Sequence, residues 1–501
     1  MTTPSTFTGN KGLQTEERLI FEYEHAERTA VDLPPAPAHR PRLGSLRRTT
    51  KIGLPGLAEP QVVRHYTRLS QKNFGIDTGF FPLGSCTMKH NPRLNEKLAR
   101  LSGLAAIHPF QPVSTSQGAL ALMDRLGNWL KELTGMAAVA LSPAAGAHGE
   151  LCGMMAIRAA LDERQDERRT VLVPQSAHGT NPATATLCGF RVESIPAESS
   201  GRVSVKAVRE RLGPHVAAIM ITNPNTCGLF ESEMAAIAEE VHRAGGFVYM
   251  DGANFNALVG RVRIADLGAD AMHINLHKTF ATPHGGGGPG SGPTVLSETL
   301  ARFAPVPYVK RYPEGFRLIE TEDEARADGN NPFGRLKGYH GQFGMFVRAM
   351  AYMMSMGLDG LQQASGDAVL NANYLLAQLG DVLSAPFAGP VMHEVLFDDR
   401  FLKDTGISTL DFAKALIDEG FHPMTIYFPL VVQGAMLIEP TETESKATLD
   451  TFIETVRSLV AAIRQGQTER FHQAPVYTPR RRLDETRAAR TPVLRWSPHE
   501  T

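Results

Sequence analysis

Five short runs of apolar and β-branched residues limit the possible folds of this chain more than any other feature of its sequence. The runs occupy 170–174, 190–196, 216–222, 246–251 and 271–276. Amphipathic stretches typical of helices separate them, among them 231–245, which ends at a pair of glycines. This alternation predicts a mostly parallel sheet with helices on both faces. In such folds ligands bind beyond the carboxyl ends of the strands.

The chain of 501 residues is longer than a single hydrophobic core usually supports, so we expect a division into parts. Prolines within 1–60 predict an extended arm, because each fixes a backbone dihedral and lacks an amide donor. The alternating pattern indicates a large α/β domain over 61–335. A helical connection and a smaller α+β domain are predicted over 336–465. We interpret the polar, basic residues 466–501 as a tail without a catalytic role.

Charge and cysteine content exclude several classes of function. Lys and Arg number 51 against 52 Asp and Glu, so we expect neither a nucleic acid nor an anionic membrane as the partner. No two cysteines are close enough in sequence to suggest zinc or a dithiol redox centre, and no metal site is expected. The first residues lack the apolar core of a signal peptide, and no run approaches the ~18 apolar residues of a membrane span. We therefore expect a soluble, cytoplasmic protein.

A glycine-rich segment matches the G-x-G-x-x-G pattern of dinucleotide-binding sites through Gly285, Gly287 and Gly290. That pattern must open a helix whose N-terminus receives the pyrophosphate. Here Pro289 and Pro293 interrupt the segment, and a strand-like run follows. A nicotinamide dehydrogenase is therefore disfavoured, and the glycines are expected to let the backbone pass close to a flat group or to let a loop move.

Lys278 follows a run that resembles a buried strand, where an unpaired ammonium would be poorly solvated. A lysine in this position, with His277 before it, suits a Schiff base with pyridoxal 5′-phosphate. Asp251 closes the preceding run, so its carboxylate is expected at the same edge of the sheet. There it can keep the pyridine nitrogen of the cofactor protonated. The alternative for Asp251 is an N-cap before residues 252–260.

Two further segments are expected at this edge. His178 follows the 170–174 run and could stack on the cofactor ring or be an ordinary loop histidine; its spacing favours neither. Ala145, Gly146 and Ala147 precede a helix whose free amides could bind the 5′-phosphate. The alternative is an ordinary helix start built from small residues.

The remaining candidates lie close to these positions. Asn225 or Thr226 could reach the phenolic oxygen of the cofactor, although turn chemistry explains both almost as well. Lys278, His277 and His284 are candidates for proton handling, and spacing cannot choose among them. His277 could instead contact the phosphate.

A series of long motifs then carries a resemblance through most of the chain. They occupy 80–92, 107–112, 143–150, 173–185, 222–231, 251–257, 275–293, 438–445 and 481–496. In this order they resemble the glycine cleavage system P-protein family, glycine dehydrogenase (decarboxylating), and specifically the lysine-bearing half that many bacteria make as subunit 2. Departures are small: 113–116 lack the acidic residues common in the family, and Ala281 stands where serine is common.

The resemblance implies a fold type I pyridoxal-phosphate enzyme in which Lys278 carries the cofactor, Asp251 contacts the pyridine nitrogen and His178 stacks on the ring. It implies decarboxylation of glycine and transfer of the aminomethyl group to a lipoylated H-protein. The implied assembly is a heterotetramer with two copies of a homologous subunit 1. By resemblance alone, Ser85, Thr87 and Lys89 line the site.

Two alternatives to this function remain. One is a pyridoxal-phosphate decarboxylase or aminotransferase that acts on a larger amino acid without a lipoyl partner. The other is a catalytically inert subunit of the kind that lacks the lysine, and Lys278 argues against it. Carbon dioxide exchange that requires lipoyl H-protein would separate the first alternative from the predicted function.

Overall fold

The computed structural model describes residues 16–23, 34, 37, 42–50, 53–286, 288 and 290–497. Most of the predicted arm, with Gly287 and Pro289 of the glycine segment, lies outside the described residues. The helices are α1 (Glu59–Gln71), α2 (Arg93–Ala99), α3 (Ser102–Ala105), α4 (Gln117–Thr134), α5 (Gly146–Glu163), α6 (Thr180–Leu187), α7 (Val205–Arg209), α8 (Met234–Arg243), α9 (Leu276–Thr279), α10 (Glu298–Ala301), α11 (Glu322–Ala327), α12 (Phe343–Leu379), α13 (Thr409–Asp418), α14 (Lys446–Arg464), α15 (Thr468–Gln473) and α16 (Glu485–Arg490).

The strands are β1 (Ala138–Ala140), β2 (Thr170–Pro174), β3 (Arg191–Ile195), β4 (Val216–Thr222), β5 (Phe247–Asp251), β6 (Ala271–His273), β7 (Thr294–Leu296), β8 (Tyr308–Tyr312), β9 (Gly315–Ile319), β10 (Val395–Phe397), β11 (Thr425–Ile426) and β12 (Met436–Ile438). Short 3-10 helices occupy Ile20–Glu22, Gly44–Leu46, Val113–Thr115, Phe255–Ala257, Ile264–Leu267 and Asp399–Leu402.

The central sheet has seven strands in the order β1-β7-β6-β5-β4-β2-β3. Strands β6, β5, β4, β2 and β3 pair in parallel, and β7 pairs antiparallel with both of its neighbours. Helix α5 packs on one face through Met154 and Ile157, and α8 packs on the other through Ile237 and Val241. Every residue of β4 and β5 is buried, as expected for strands covered on both sides. The predicted mostly parallel α/β sheet is confirmed.

The strand predicted over 271–276 is too long. Strand β6 ends at His273, after which the amide of Ile274 donates to the carbonyl of Pro293 at 2.7 Å and that of Leu276 to Ser291 at 3.2 Å. These bonds turn the backbone towards the glycine segment. Lys278 therefore lies in the single helical turn α9 and does not directly follow a strand. The apolar run continues past the strand because Leu276 is still buried after the turn.

The C-terminal part contains a second, antiparallel sheet in the order β10-β12-β11. Its core joins Leu396 and Leu437 to Phe412 of α13 and Phe452 of α14. Helix α12 leads into this core and contains a break at Gly357, where φ is 63° and ψ is −178°. A small α+β unit after a long helical connection therefore matches the predicted type of structure, while the boundaries at 335 and 465 remain predictions.

The two ends of the described chain lie near one another. Glu17 accepts hydrogen bonds from Arg68 of α1 at 2.7 and 2.6 Å, and Phe21 stacks on Trp496 with ring centroids 5.3 Å apart. In the tail, Arg482 forms an ion pair with Asp411 at 2.7 Å. Within the described ranges, no helix combines the length and the apolar character needed to cross a bilayer.

Candidate active site

Lys278 is half-buried in α9, and its Nζ donates a hydrogen bond to the carbonyl oxygen of Ser85 at 2.8 Å. The 84–88 loop that supplies this acceptor is strained, because Ser85 and Thr87 have φ values of 64° and 49°. The structure therefore brings Ser85 to the predicted catalytic lysine through its backbone.

Two buried glutamates from the C-terminal part hold this loop in place. Glu394 Oε2 accepts the amide of Ser85 at 2.8 Å. Glu439 Oε2 accepts the amides of Cys86 at 3.1 Å and Thr87 at 2.8 Å, and its Oε1 accepts the Thr87 hydroxyl at 2.5 Å. Burial, followed by repulsion from Glu439, raises the pKa of Glu394 well above its ordinary value. The 84–88 loop is thus held by two buried carboxyl groups from the C-terminal part.

His393 lies beside these glutamates, and one ligand atom from each of the three residues lies within 4.8 Å of the others. Such spacing could hold a metal ion. However, Glu439 already accepts loop donors on both oxygens, and Glu394 does so on one. We therefore interpret the cluster as an anchor for the 84–88 loop.

Asp251 ends β5 and is 2% exposed. Its Oδ2 accepts the side-chain amide of Asn181 at 2.9 Å, and its Oδ1 accepts the backbone amide of Ala253 at 2.9 Å. Its Oδ1 also lies 3.5 Å from His273 Nε2. Burial alone would raise the pKa of Asp251, but His273, Asn181 and the Ala253 amide outweigh it, and the pKa is lowered. Asp251 is therefore a buried carboxylate that stays charged.

His178 is exposed and lies in the loop between β2 and α6. Its Nδ1 is 2.8 Å from the Thr180 hydroxyl, which in turn donates to Glu150 Oε1 at 2.6 Å. Its ring meets Phe428 edge-on, with centroids 5.9 Å apart. The Thr180 hydroxyl thus orients the His178 imidazole. Both residues lie at the sheet edge that also carries Asp251.

The N-terminus of α5 begins at Gly146, with Ala145 as an extended N-cap. A Cβ at Gly146 would come within 2.7 Å of Asn275 Nδ2 and 3.2 Å of His273 Nε2. A Cβ at Gly292 would overlap the carbonyl of Ala145. The glycine-rich segment therefore permits a close approach of its backbone to the start of α5. The backbone amides in the first turn of α5 have no acceptors within the helix.

Two further histidines lie beside this helix start. His277 Nε2 is 3.2 Å from Asn275 Nδ2, and the His277 ring meets that of His284 edge-on at 5.2 Å. Burial, followed by repulsion from His284 and Lys278, lowers the pKa of His277 to about 3. Burial and Lys278 also lower the pKa of His284. Both imidazoles are therefore neutral at pH 7 and can accept protons only weakly.

The side chains of Asn225 and Thr226 form hydrogen bonds with neighbouring backbone and side-chain groups. Asn225 Nδ2 donates to Gly201 and Glu231 at 2.9 and 2.7 Å, while the Thr226 hydroxyl donates to the carbonyl of Ser176. These bonds shape the loop after β4 and tie it to the loop that carries His178. Direct contact of either residue with a cofactor remains a prediction.

Lys89 does not face Lys278, although both belong to the same neighbourhood. Its Nζ is buried and donates to Glu442 Oε1 at 2.7 Å, the Thr279 carbonyl at 2.8 Å and Asn256 Oδ1 at 2.9 Å. Since Thr279 directly follows Lys278, Lys89 supports the turn that carries Lys278. Thr87 is likewise buried against Glu439.

Sequence reasoning missed several residues that surround the predicted site. They are Glu150, Thr180, Asn181, His273, Asn275, Glu394 and Glu439. Thr180 and Asn181 carried a usable signal, because they follow His178 in the same loop and helix start. Glu150 and Glu439 lie in the 143–150 and 438–445 motifs, but no pattern there indicates their partners. Glu394 carried no signal, since it meets the 84–88 loop from a distant part of the chain.

These residues fit pyridoxal 5′-phosphate. Asp251 is a charged, buried carboxylate suited to a protonated ring nitrogen. The first turn of α5 presents free amides that could bind a phosphate. The Lys278 amine lies near both Asp251 and His277, because its charge contributes to lowering the pKa of each.

Comparison with known proteins decides the family. Over 496 residues the chain is 62% identical to the probable glycine dehydrogenase (decarboxylating) subunit 2 of Caulobacter vibrioides, covering 98% of this chain and 94% of the relative. The chain belongs to the glycine dehydrogenase (decarboxylating) subunit 2 family. The Desulforamulus reducens member is 48% identical over 491 residues, covering 96% of this chain and 99% of its own. Residues 364–478 match the C-terminal domain of glycine dehydrogenase, and 149–287 match class-V aminotransferases.

The fold of this chain is also similar to those of solved structures. The inhibitor-bound glycine decarboxylase (P-protein) of the glycine cleavage system superposes with a TM-score of 0.70 at 23% identity, covering 84% of this chain and 93% of that one. A Lactobacillus brevis glutamate decarboxylase gives 0.63 at 11% identity, covering 87% and 96%. The fold type I architecture expected from the sequence is confirmed.

Proposed function

We infer that this chain is the pyridoxal-phosphate-bearing subunit of a glycine dehydrogenase (decarboxylating). It removes the carboxylate of glycine as carbon dioxide and transfers the aminomethyl group to a lipoyl disulfide. The observation that carries this inference is the meeting of Lys278, Asp251 and the start of α5 at one sheet edge, in a chain that is 62% identical to a subunit 2.

Each part of the cofactor has a partner at this edge. Lys278 would bind the aldehyde covalently, and Asp251 would keep a proton on the ring nitrogen. The backbone amides of Ala145, Gly146 and Ala147 at the start of α5 would receive the phosphate, and His178 would stack on the ring. When bound, pyridoxal 5′-phosphate supplies a conjugated ring that accepts the electron pair left by the departing carboxylate.

The protein groups around Lys278 suit the loss of a carboxylate. From the C-terminal part, Glu394 and Glu439 support the loop whose Ser85 carbonyl accepts a hydrogen bond from Lys278. The segment 429–446 contains no arginine to hold a substrate carboxylate. As a free amine, Lys278 could accept or return a proton at Nζ. Burial, followed by repulsion from His284 and Lys278, lowers the pKa of His277 to about 3, so this imidazole is a weak base.

Family membership as subunit 2 implies a subunit 1 partner. We further propose that two copies of each subunit form a heterotetramer, that a lipoylated H-protein is the second substrate and that the assembly works in the cytoplasm. The four cysteines, all unpaired, support a reducing compartment. As the family resemblance implies, hydride chemistry is assigned to a different component. In the described part of the glycine-rich segment, Gly290 and Gly292 lie against the residues that precede α5.

Replacement of Lys278 tests the proposed function. The Lys278→Ala variant, mixed with subunit 1 and pyridoxal phosphate, should lack the visible absorbance of lysine-bound cofactor and should not retain cofactor after borohydride treatment. Its exchange of carbon dioxide with glycine should fall at least about a thousandfold, because the covalent route is lost. Lys403→Ala, which alters an exposed lysine, is the control. Undiminished exchange by Lys278→Ala, or wild-type exchange without H-protein on a larger amino acid, would overturn the assignment.

A further inference from the structure

A buried glutamate lies beneath His178 and has no part in the mechanism above. Glu150 belongs to α5 and is 3% exposed. Its Oε1 accepts the Thr180 hydroxyl at 2.6 Å, and its Oε2 lies 3.3 Å from the Thr184 hydroxyl. Both hydroxyls belong to α6, whose first residue is Thr180. A carboxyl group in such a position requires explanation, because a buried acid costs free energy unless it has a structural or chemical use.

Thr180 connects Glu150 to the imidazole of His178. The Thr180 hydroxyl is 2.8 Å from His178 Nδ1, and the backbone amide of Thr180 is 3.2 Å from the same nitrogen. A hydroxyl group has one hydrogen to donate, so it cannot donate to Glu150 and to His178 at once. The direction of one hydrogen bond therefore sets the direction of the other.

When Glu150 is ionised, its carboxylate can only accept, and the Thr180 hydroxyl must donate to it. His178 Nδ1 then has to carry the proton in order to donate to Thr180, which leaves Nε2 without a proton. The backbone amide of Thr180 loses its acceptor in this state.

When Glu150 is protonated, it can donate to the Thr180 hydroxyl, which can then donate to His178 Nδ1. The proton of the neutral ring moves to Nε2, and the Thr180 amide regains Nδ1 as an acceptor. All three hydrogen bonds are satisfied in this arrangement. The two states of Glu150 thus correspond to the two neutral tautomers of His178.

The charged groups around Glu150 make this change accessible near neutral pH. Asp251 and Tyr249 face it from β5, His273 lies beyond Asp251 on β6, and Asn181 bridges towards Asp251 from α6. Burial, followed by repulsion from the Asp251 carboxylate, raises the pKa of Glu150 to about 7. The Thr180, Asn181 and Thr184 side chains oppose this shift only in part.

We propose that Glu150 is a positioning residue that selects, through the Thr180 hydroxyl, which ring nitrogen of His178 carries the proton. The proposal rests on the assignment of His178 to the active site. It makes His178 Nε2, which has no hydrogen-bond partner among the described residues, a donor when Glu150 is protonated and an acceptor when Glu150 is ionised.

Nitrogen-15 spectroscopy of ring-labelled histidine tests this directly, because it separates the two neutral tautomers from each other and from the imidazolium. The full chain is measured with subunit 1, before and after addition of pyridoxal phosphate, and His178→Gln identifies the signal. The pH is varied on both sides of the Glu150 pKa of about 7. In the wild type the His178 proton should move from Nε2 to Nδ1 as pH rises.

Matched variants test the hydrogen-bond connection from Glu150 through the Thr180 hydroxyl to His178, which we call the relay. Thr180→Val removes the hydroxyl at nearly constant volume, whereas Thr180→Ser retains it. The pH-dependent change of tautomer should persist in Thr180→Ser and disappear in Thr180→Val. Glu150→Gln should also abolish the change of tautomer, because the amide does not titrate. This second variant tests the relay even if Thr180→Val folds poorly.

A single neutral tautomer of His178 at every pH in the wild type, or an unchanged transition in either Thr180→Val or Glu150→Gln, would refute the relay. In the pH profile of carbon dioxide exchange, Glu150→Gln should remove one ionisation near neutrality, and Thr180→Ser should retain it. Since the tautomer is read by spectroscopy, failure of the relay is distinguishable from failure of the proposed function, which Lys278→Ala reports through cofactor attachment and turnover.

Discussion

Asp251 and Glu150 are neighbouring buried carboxyl groups whose pKa values move in opposite directions. Asp251 has His273 at 3.5 Å and donors from Asn181 and Ala253, so its pKa is lowered. Burial, followed by repulsion from the Asp251 charge, raises the pKa of Glu150 to about 7, and its hydroxyl and amide partners oppose this shift only in part. Two carboxylates this close do not ionise with equal ease, and the one with better partners keeps the charge. That difference suits Asp251 to a protonated ring nitrogen.

Asp251→Asn should lower turnover by about a hundredfold or more, since an amide cannot hold a proton on the ring nitrogen by charge. Cofactor attachment at Lys278 should survive, because the amide keeps the size of the carboxylate. Turnover is measured as carbon dioxide exchange, and attachment by visible absorbance after titration with pyridoxal phosphate. Asp266→Asn, which alters an acidic residue outside the site, is the control. Wild-type turnover in Asp251→Asn would remove the role assigned to the carboxylate.

At the scale of elements, the turn α9 depends on a residue nearly two hundred positions earlier in the chain. Lys89 Nζ donates to the Thr279 carbonyl at 2.8 Å and pairs with Glu442 at 2.7 Å. Burial would lower the pKa of Lys89, but Glu442 and Tyr352 raise it, so the ammonium stays charged. Lys89 and its ion pair therefore link α9, the turn that carries Lys278, to the segment that follows β12.

Lys89→Met should destabilise the protein by about 3–5 kcal/mol, because it leaves Glu442 charged and buried without its partner. The double variant Lys89→Met/Glu442→Gln should recover much of this loss. Urea unfolding of the wild type, both variants and Lys97→Met, an exposed lysine on α2, provides the measurement. A double variant that is as unstable as Lys89→Met would show that packing, and not the buried charge, dominates.

At the scale of the whole molecule, two buried glutamates make stability depend on pH. Burial raises the pKa of both Glu150 and Glu231 from 4.5 to about 7, with the Asp251 charge as a second cause for Glu150. The unfolded chain releases these protons at lower pH than the folded chain does. Their contribution to stability is therefore complete below about pH 4.5 and is lost as pH rises through about 7. Asp251, with a lowered pKa, contributes in the opposite direction.

The free energy of unfolding of the wild type, relative to Glu150→Gln, should decrease by up to about 3 kcal/mol between about pH 5 and about pH 8. The variant lacks the titrating group, so the comparison cancels contributions from distant residues. Urea unfolding at both pH values measures the difference. A relative stability that stays constant or rises with pH would contradict the raised pKa of Glu150.

Much of the site could be predicted because it is local in sequence. Lys278, Asp251 and His178 each follow an apolar run, and the carboxyl ends of neighbouring parallel strands share one edge of a sheet. Periodicity located β2, β3, β4 and β5 to within a residue or two. It overextended β6, because a buried turn and a buried strand have the same apolar pattern.

The sequence by itself determined the α/β class and, through long motifs, the family, and it predicts Lys278 as the lysine that binds the cofactor. Only the tertiary structure decided what holds that lysine: the Ser85 carbonyl, the two glutamates behind it and the Lys89 ion pair with Glu442. These contacts join segments hundreds of residues apart, and no local pattern encodes which distant polar groups will meet. Their pairing follows from chain topology and from the cost of burying a polar group without a partner.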